Sequence, residues 1–82
     1  MMAPLKVEVL GSGCKKCQQL EANARTAIAN LGIDADVIHV TDMVEIAKRG
    51  VMSTPALAVN THVVSKGQVL SVEQLQTLFS KP

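Results

Sequence analysis

Apolar and polar residues along the chain fall into segments of different period, with a breaker between each pair. Leu5–Leu10 (LKVEVL) alternates weakly and is rich in β-formers, which predicts a strand with one face more polar than the other. Gly11-Ser12-Gly13 interrupts it. From Cys14 the spacing turns helical. Cys17, Leu20, Ala24, Ala27, Ile28 and Leu31 form one stripe, Gln18, Glu21 and Arg25 lie off it, and Gly32 offers a C-terminal stop. Ala35–Val40 predicts a second strand. A short helix through Arg49 follows, capped by Thr41 or Asp42, with Asp42 and Glu45 in capping-box spacing and Gly50 at its end. Ala56–Val59 and Val63–Ser65 predict two short strands joined near Asn60-Thr61-His62 as a hairpin. Thr61 suits a left-handed position poorly, which leaves the turn type open. Ser71-Val72-Glu73-Gln74 is a second capping-box signature, and Val72, Leu75, Leu78 and Phe79 give its helix an apolar face.

The resulting order, β-α-β-α-β-β-α, is that of an α/β protein. Its first β-α-β step is a right-handed parallel crossover and its later strand pair an antiparallel hairpin in the same sheet. A four-stranded mixed sheet with helices on both faces is expected, in a single domain over residues 1–82.

Composition narrows the function. Apolar residues make up 48% of the chain and charged ones 18%, enough for a core and too little charge for a disordered tail. With one Phe and neither Trp nor Tyr, that core must be aliphatic. The formal net charge of +1 excludes a strongly basic nucleic-acid binder, and the missing aromatics remove the platforms on which bases stack. The uncharged stretch Val51–His62 contains Pro55 and Asn60 and is too short to span a bilayer. The opening Met1-Met2-Ala3-Pro4-Leu5-Lys6 lacks the charged-then-apolar run of a signal peptide. A monomeric cytoplasmic protein with no membrane or nucleic-acid partner is expected.

The chemistry rests on two cysteines separated by two lysines. Cys14 follows a strand and a Gly-rich turn, at the start of a helix whose first amides are unpaired. Those N–H groups and the helix dipole favour a thiolate, with Lys15 and Lys16 adding nearby positive charge, so a lowered Cys14 pKa is expected. Cys17 shares the stripe of Leu20 and Ala24 and is expected to face the core, leaving Cys14 exposed. Three residues of helix bring the two Cα atoms to about 5–6 Å, within the range a disulfide accepts. An exposed thiolate with a shielded partner in reach equips the chain for thiol–disulfide exchange. Cys14 attacks a disulfide, and Cys17 resolves the mixed disulfide. No separate cofactor is needed beyond the redox-active Cys14–Cys17 disulfide. The expected partners are a disulfide-containing protein or small oxidised acceptor and a reductase or thiol donor.

Other uses of the pair carry less weight. A structural disulfide closing so small a loop constrains the unfolded chain little, and the cytosol would reduce it. Zinc would need His39 and His62 beside the cysteines, and these lack the H-x₃₋₅-H pairing of zinc modules. Cu(I) carriage by the two thiolates is the main alternative from another functional class.

The stretch G-S-G-C-K-K-C-x-x-L (Gly11 to Leu20) resembles the active-site turn of the small, glutaredoxin-sized thioredoxin-like proteins. Gly50-Val51-Met52-Ser53-Thr54-Pro55-Ala56-Leu57 is similar to their G-[IV]-x-x-x-P-x-L segment, with Pro55 lying 38 positions after Cys17. The resemblance covers essentially the whole chain. It implies a thioredoxin-like fold and a cis Thr54–Pro55 bond beside the Cys14 sulfur, with the Thr54 backbone as a short edge for an extended substrate segment. On the residues alone, a trans proline opening a strand suits Pro55 as well. The family also places a buried acid six residues before the first cysteine, where this chain has Glu8, and the resemblance implies that Glu8 relays the proton of Cys17. The residues themselves point instead to an exposed, ion-paired Glu8, because Lys6 shares its strand face. Gly13 and Lys15-Lys16 replace the tryptophan and Gly-Pro of larger thioredoxins. Gln68 follows Gly67 where glutaredoxins carry Asp. Heavy-metal-associated domains, the Cu(I) alternative, also place C-x-x-C between a strand and a helix. They run β-α-β-β-α-β, however, often with Met where this chain has Ser12, and they end in a strand where Val72–Phe79 is periodic as a helix.

Overall fold

Each breaker in the hydrophobic pattern is a turn or cap in the structure, a computed structural model describing residues 4–80. Residues 1–3, part of the segment read for a leader, lie outside the described residues. The elements are β1 (Leu5–Leu10), α1 (Lys15–Leu31), β2 (Ala35–Val40), α2 (Met43–Lys48), β3 (Ala56–Val59), β4 (His62–Lys66) and α3 (Val72–Ser80). Strand order is β2-β1-β3-β4. β1 pairs with β2 in parallel and with β3 antiparallel, and β3 pairs antiparallel with β4. The sheet is therefore mixed and four-stranded, with β1 inside it.

Helices cover both faces, and the alternation of β1 shows which residues meet which helix. Val7 and Val9, with Leu57 of β3, pack against Leu20, Ala24 and Ala27 of α1 and against Leu75 and Phe79 of α3. Leu10 and Ala56 point the other way, toward Ile46 of α2 and Val51. Fully burying one such apolar side chain contributes roughly 1.5–3 kcal/mol, so these two small clusters supply most of the driving force available to a chain with a single aromatic residue.

Local signals explain the boundaries. Cys14 is the N-cap of α1, one residue before the helix proper, with extended φ −67°, ψ 171°. Gly32 closes α1 at φ 64°, and its N–H donates to the carbonyls of Ile28 and Ala29 at 3.0 and 3.2 Å. Asp42 caps α2 by accepting from the Val44 N–H at 2.9 Å. The reciprocal half of that capping box is absent, because Glu45 reaches Arg49 instead, at 3.5 Å. At α3 the box is complete. The Ser71 N–H donates to Gln74 Oε1 at 2.9 Å, and the Gln74 N–H to Ser71 Oγ at 3.1 Å. β4 begins at His62, one residue earlier than the pattern indicated, because Asn60 and Thr61 alone make the turn.

Candidate active site at the mouth of helix α1

The carboxyl end of β1 turns through Gly11-Ser12-Gly13 into α1, and this turn fixes both sulfurs. Cys17 opens the buried row continued by Leu20, Ala24 and Ala27, whereas Cys14, one turn earlier, is exposed. Their Sγ atoms lie 3.0 Å apart as a hydrogen-bonded pair of free thiols. No side-chain cap bond closes the start of α1, so the first-turn amides stay open toward the Cys14 sulfur. Hydrogen bonding from the Cys17 thiol, then from the backbone N–H of Cys17 and of Lys16, holds the Cys14 pKa below its ordinary value. Burial, then the hydrogen bond to Cys14, pushes Cys17 up. The two thiols are thus split into an exposed, readily ionised one and a shielded, protonated one. Lys15 and Lys16 are both exposed beside them. Lys16 acts on Cys14 through its backbone N–H.

A second segment meets this turn. A methyl group at Gly11 would collide with Cys17 Sγ and would lie 3.5 Å from Cys17 Cβ and 3.6 Å from Thr54 Cβ. Gly11 is therefore the floor on which the Cys17 sulfur rests, and only a residue without a side chain lets that sulfur approach, while Thr54 lies at ordinary contact distance beside it. Its N–H donates to the Val40 carbonyl at 2.9 Å, tying the turn to the end of β2. The Thr54–Pro55 peptide bond is cis, and Pro55 is fully buried. The Gly67 N–H donates to the Pro55 carbonyl at 2.8 Å, and Gly67 packs under Ser53. Three segments distant in sequence, 11–17, 53–55 and 67, so converge at one end of the sheet.

Glu8 departs from its expected exposed position. It is only 2% exposed. Lys6 and Glu8 do share a face of β1, but Lys6 stands at the open end of the strand while Glu8, two residues on, lies beneath α2. The ion pair is made with Arg49, whose two terminal nitrogens donate to the two carboxylate oxygens at 2.8 and 2.7 Å. These bonds outweigh burial and hold the Glu8 pKa below its ordinary value.

Arg49 escaped the sequence reading, as did the role of Gly11. The signal for Arg49 was available: a carboxylate in the middle of an inner strand covered by a helix needs a cation, and Arg49 closes that helix. The histidines do not join the cysteines. His39 Nδ1 lies 3.2 Å from Glu21 Oε1 on α1, and His62 borders the Asn60–Thr61 turn at the other end of the sheet. Among the described residues, no three His, Cys, Asp or Glu side chains gather as a metal site, and no helix is long and apolar enough to cross a membrane.

Comparison with known proteins agrees with this geometry. The family model described as "Thioredoxin domain" matches residues 5–80. The chain is similar to a thioredoxin of Methanothermobacter thermautotrophicus, 38% identical over 76 residues that cover 93% of this chain and 99% of the relative. It is also similar to a thioredoxin of Methanocaldococcus jannaschii, 40% identical over 70 residues, 85% of this chain and 80% of the relative.

Proposed function

Because the chain belongs to the thioredoxin domain family and is a thiol–disulfide oxidoreductase, we propose that it exchanges electrons through a mixed disulfide formed at Cys14 and resolved by Cys17. The Cys14 thiolate attacks a substrate disulfide R–S–S–R′, forming Cys14–S–S–R and releasing R′S⁻, which takes a proton. Cys17 then loses its proton and attacks the Cys14 sulfur. RS⁻ departs, and the Cys14–Cys17 disulfide remains. Two electrons have moved to the substrate, and a dithiol donor or reductase returns the pair to its reduced form. The cysteine pair carries both electrons, without a bound cofactor, in a cytoplasmic setting.

The observation that carries this reading is the 3.0 Å approach of an exposed, pKa-lowered Cys14 sulfur to a buried, pKa-raised Cys17 sulfur. Attack needs an accessible anion, and resolution needs a second sulfur within reach that does not compete for the first step. An extended substrate segment is held against Thr54 and Pro55; support comes from the Thr54 Cβ, which would lie 3.6 Å from a methyl group at Gly11, beside the Cys17 sulfur.

Dithiol-driven reduction of insulin tests the proposal. Wild-type protein accelerates it and Cys14→Ser does not; equal rates reject the mechanism. Stoichiometric Cu(I) binding that survives glutathione competition, without disulfide turnover, would assign the two thiolates to metal carriage instead.

A further inference from the structure

A formal net charge of +1 conceals an uneven distribution. Lys15 and Lys16 fill both positions between the cysteines, and both are exposed. The first turn of α1 holds no acidic residue, and among the described residues neither lysine enters an ion pair. The turn before them, Gly11-Ser12-Gly13, and the segment Met52-Ser53-Thr54, whose Thr54 packs beside Gly11, carry no charge, and Met52 is 93% exposed.

The carboxylates are engaged or distant. Arg49 holds Glu8 at 2.7 Å and Glu45 at 3.5 Å, and Glu21 lies 3.1 Å from Arg25. Asp34 and Asp36 flank the first residues of β1, at the opposite end of the sheet from Cys14. Glu73 stands in the first turn of α3. That helix follows Leu70, whose carbonyl accepts from Asn23 Nδ2 at 2.9 Å. Asn23 is about 13 Å along α1 from Cys14, more than a Debye length at physiological salt. Asp42 does lie at the reactive end, but its carboxylate accepts from the Val44 N–H and faces the open amides of α2, which offset its charge.

We infer that the face around Cys14 selects disulfides flanked by acidic side chains, so that the exchange partner is a protein or peptide carrying Asp or Glu beside the disulfide it presents. This rests on the reading that Cys14 exchanges disulfides, since forming the Cys14–substrate bond brings the residues flanking the substrate sulfur against Lys15 and Lys16. Two cations without local counterions among the described residues then favour an acidic flank over a basic one in both encounter and docking.

Two disulfide peptides, identical except for Glu or Lys flanking the cystine, test the inference by their kcat/KM for dithiol-driven reduction. At physiological ionic strength the acidic peptide is reduced about fivefold faster, and the preference falls below about twofold near 0.5 M salt, where charges are screened over roughly 4 Å. In K15Q/K16Q the ratio falls to near one at either salt. Taking the ratio on one enzyme cancels any change in Cys14 reactivity. Equal rates for the two peptides with wild-type protein, or a preference unchanged in K15Q/K16Q, overturn the inference while leaving exchange at Cys14 intact. Reduction of neither peptide overturns both.

Discussion

Arg49 clamps Glu8 with two parallel hydrogen bonds of 2.8 and 2.7 Å, joining the end of α2 to the inner strand β1. The carboxylate is buried, while the Arg49 side chain keeps 20% exposure. Immediately after Arg49 the chain runs through Gly50 to Thr54 and Pro55, so this pair also anchors the segment that meets Gly11. Removing the cation leaves a buried charge without its partner, a change that typically costs about 3–5 kcal/mol. Arg49→Met is therefore expected to lower the midpoint of urea unfolding strongly. The double variant Glu8→Leu/Arg49→Met, which removes both charges, recovers much of the loss.

The same pair predicts opposite pH dependences. In the wild type the Arg49 hydrogen bonds hold Glu8 below its ordinary 4.5 despite burial. Its contribution to stability is thus complete above about pH 4.5 and disappears as pH falls through the lower folded value. In Arg49→Met the upward push of burial is no longer countered by the guanidinium, and the folded value rises above the unfolded one. Acidification from pH 7 then stabilises the variant where it destabilises the wild type. Urea midpoints measured from pH 7 to pH 3 would show the gap between the two proteins narrowing; a constant gap would refute the account.

Gly11→Ala is expected to damage the reactive pair more than the fold. The added methyl collides with Cys17 Sγ, a buried atom with little room to retreat, and overpacking of this kind costs about 1–3 kcal/mol. Because the displaced atom is the resolving sulfur, disulfide reduction should fall about 10- to 100-fold, since displacements near 1 Å can cost a hundredfold in rate. Gly32→Ala provides the contrast. It strains the left-handed end of α1 at φ 64°, but a Cβ there meets nothing within 4 Å, so it should cost about 1 kcal/mol of stability and leave turnover unchanged.

Thiol titration should separate the two cysteines. Alkylation of the reduced protein is expected to modify Cys14 first, with an inflection below the ordinary 9.0, while Cys17 reacts slowly and only above that value. Since the Cys17 thiol is the largest cause of the lowering, Cys17→Ala should move the Cys14 inflection upward while the backbone N–H groups retain part of the effect. Mass spectrometry of alkylated peptides across pH measures both curves. Indistinguishable reactivities would remove the division of labour between the sulfurs.

Much of this architecture was legible because period and punctuation are local properties. The stripe from Cys17 to Leu31, the caps at Asp42 and Ser71 and the stop at Gly32 each depend on residues within a few positions. Glu8 was misread because its burial depends on what lies across the sheet. Alternation assigned it correctly to the face of Lys6, but only the position of α2 over β1 decides that one is wet and the other dry. Gly11 reads as a strand breaker because its spacing marks an interruption, whereas the need for a bare backbone comes from the way α1 folds the Cys17 sulfur back over the turn.

The hairpin turn leads to a prediction of the opposite sign. Asn60 and Thr61 alone connect β3 to β4, with φ of 50° and 73°, the pair of left-handed conformations of a type I′ turn. Asn tolerates that region well, while β-branched Thr does not. The turn persists because Asn60 is tied to the first strand. Its N–H donates to the Lys6 carbonyl at 2.8 Å, and its Oδ1 accepts from the Lys6 N–H at 3.0 Å. Thr61→Gly produces the favoured Asn-Gly pair and removes the strain, partly offset by the greater freedom of glycine in the unfolded chain. A gain of about 0.5–1 kcal/mol is expected. Asn60→Ala loses both the side-chain bond and the left-handed tolerance and should destabilise by about 1–2 kcal/mol. Because this turn lies at the end of the sheet opposite Cys14, neither change should alter the rate of disulfide reduction by the folded protein. Urea midpoints paired with reduction rates would test both halves, and a destabilised Thr61→Gly would show that the threonine contributes more than its backbone strain costs.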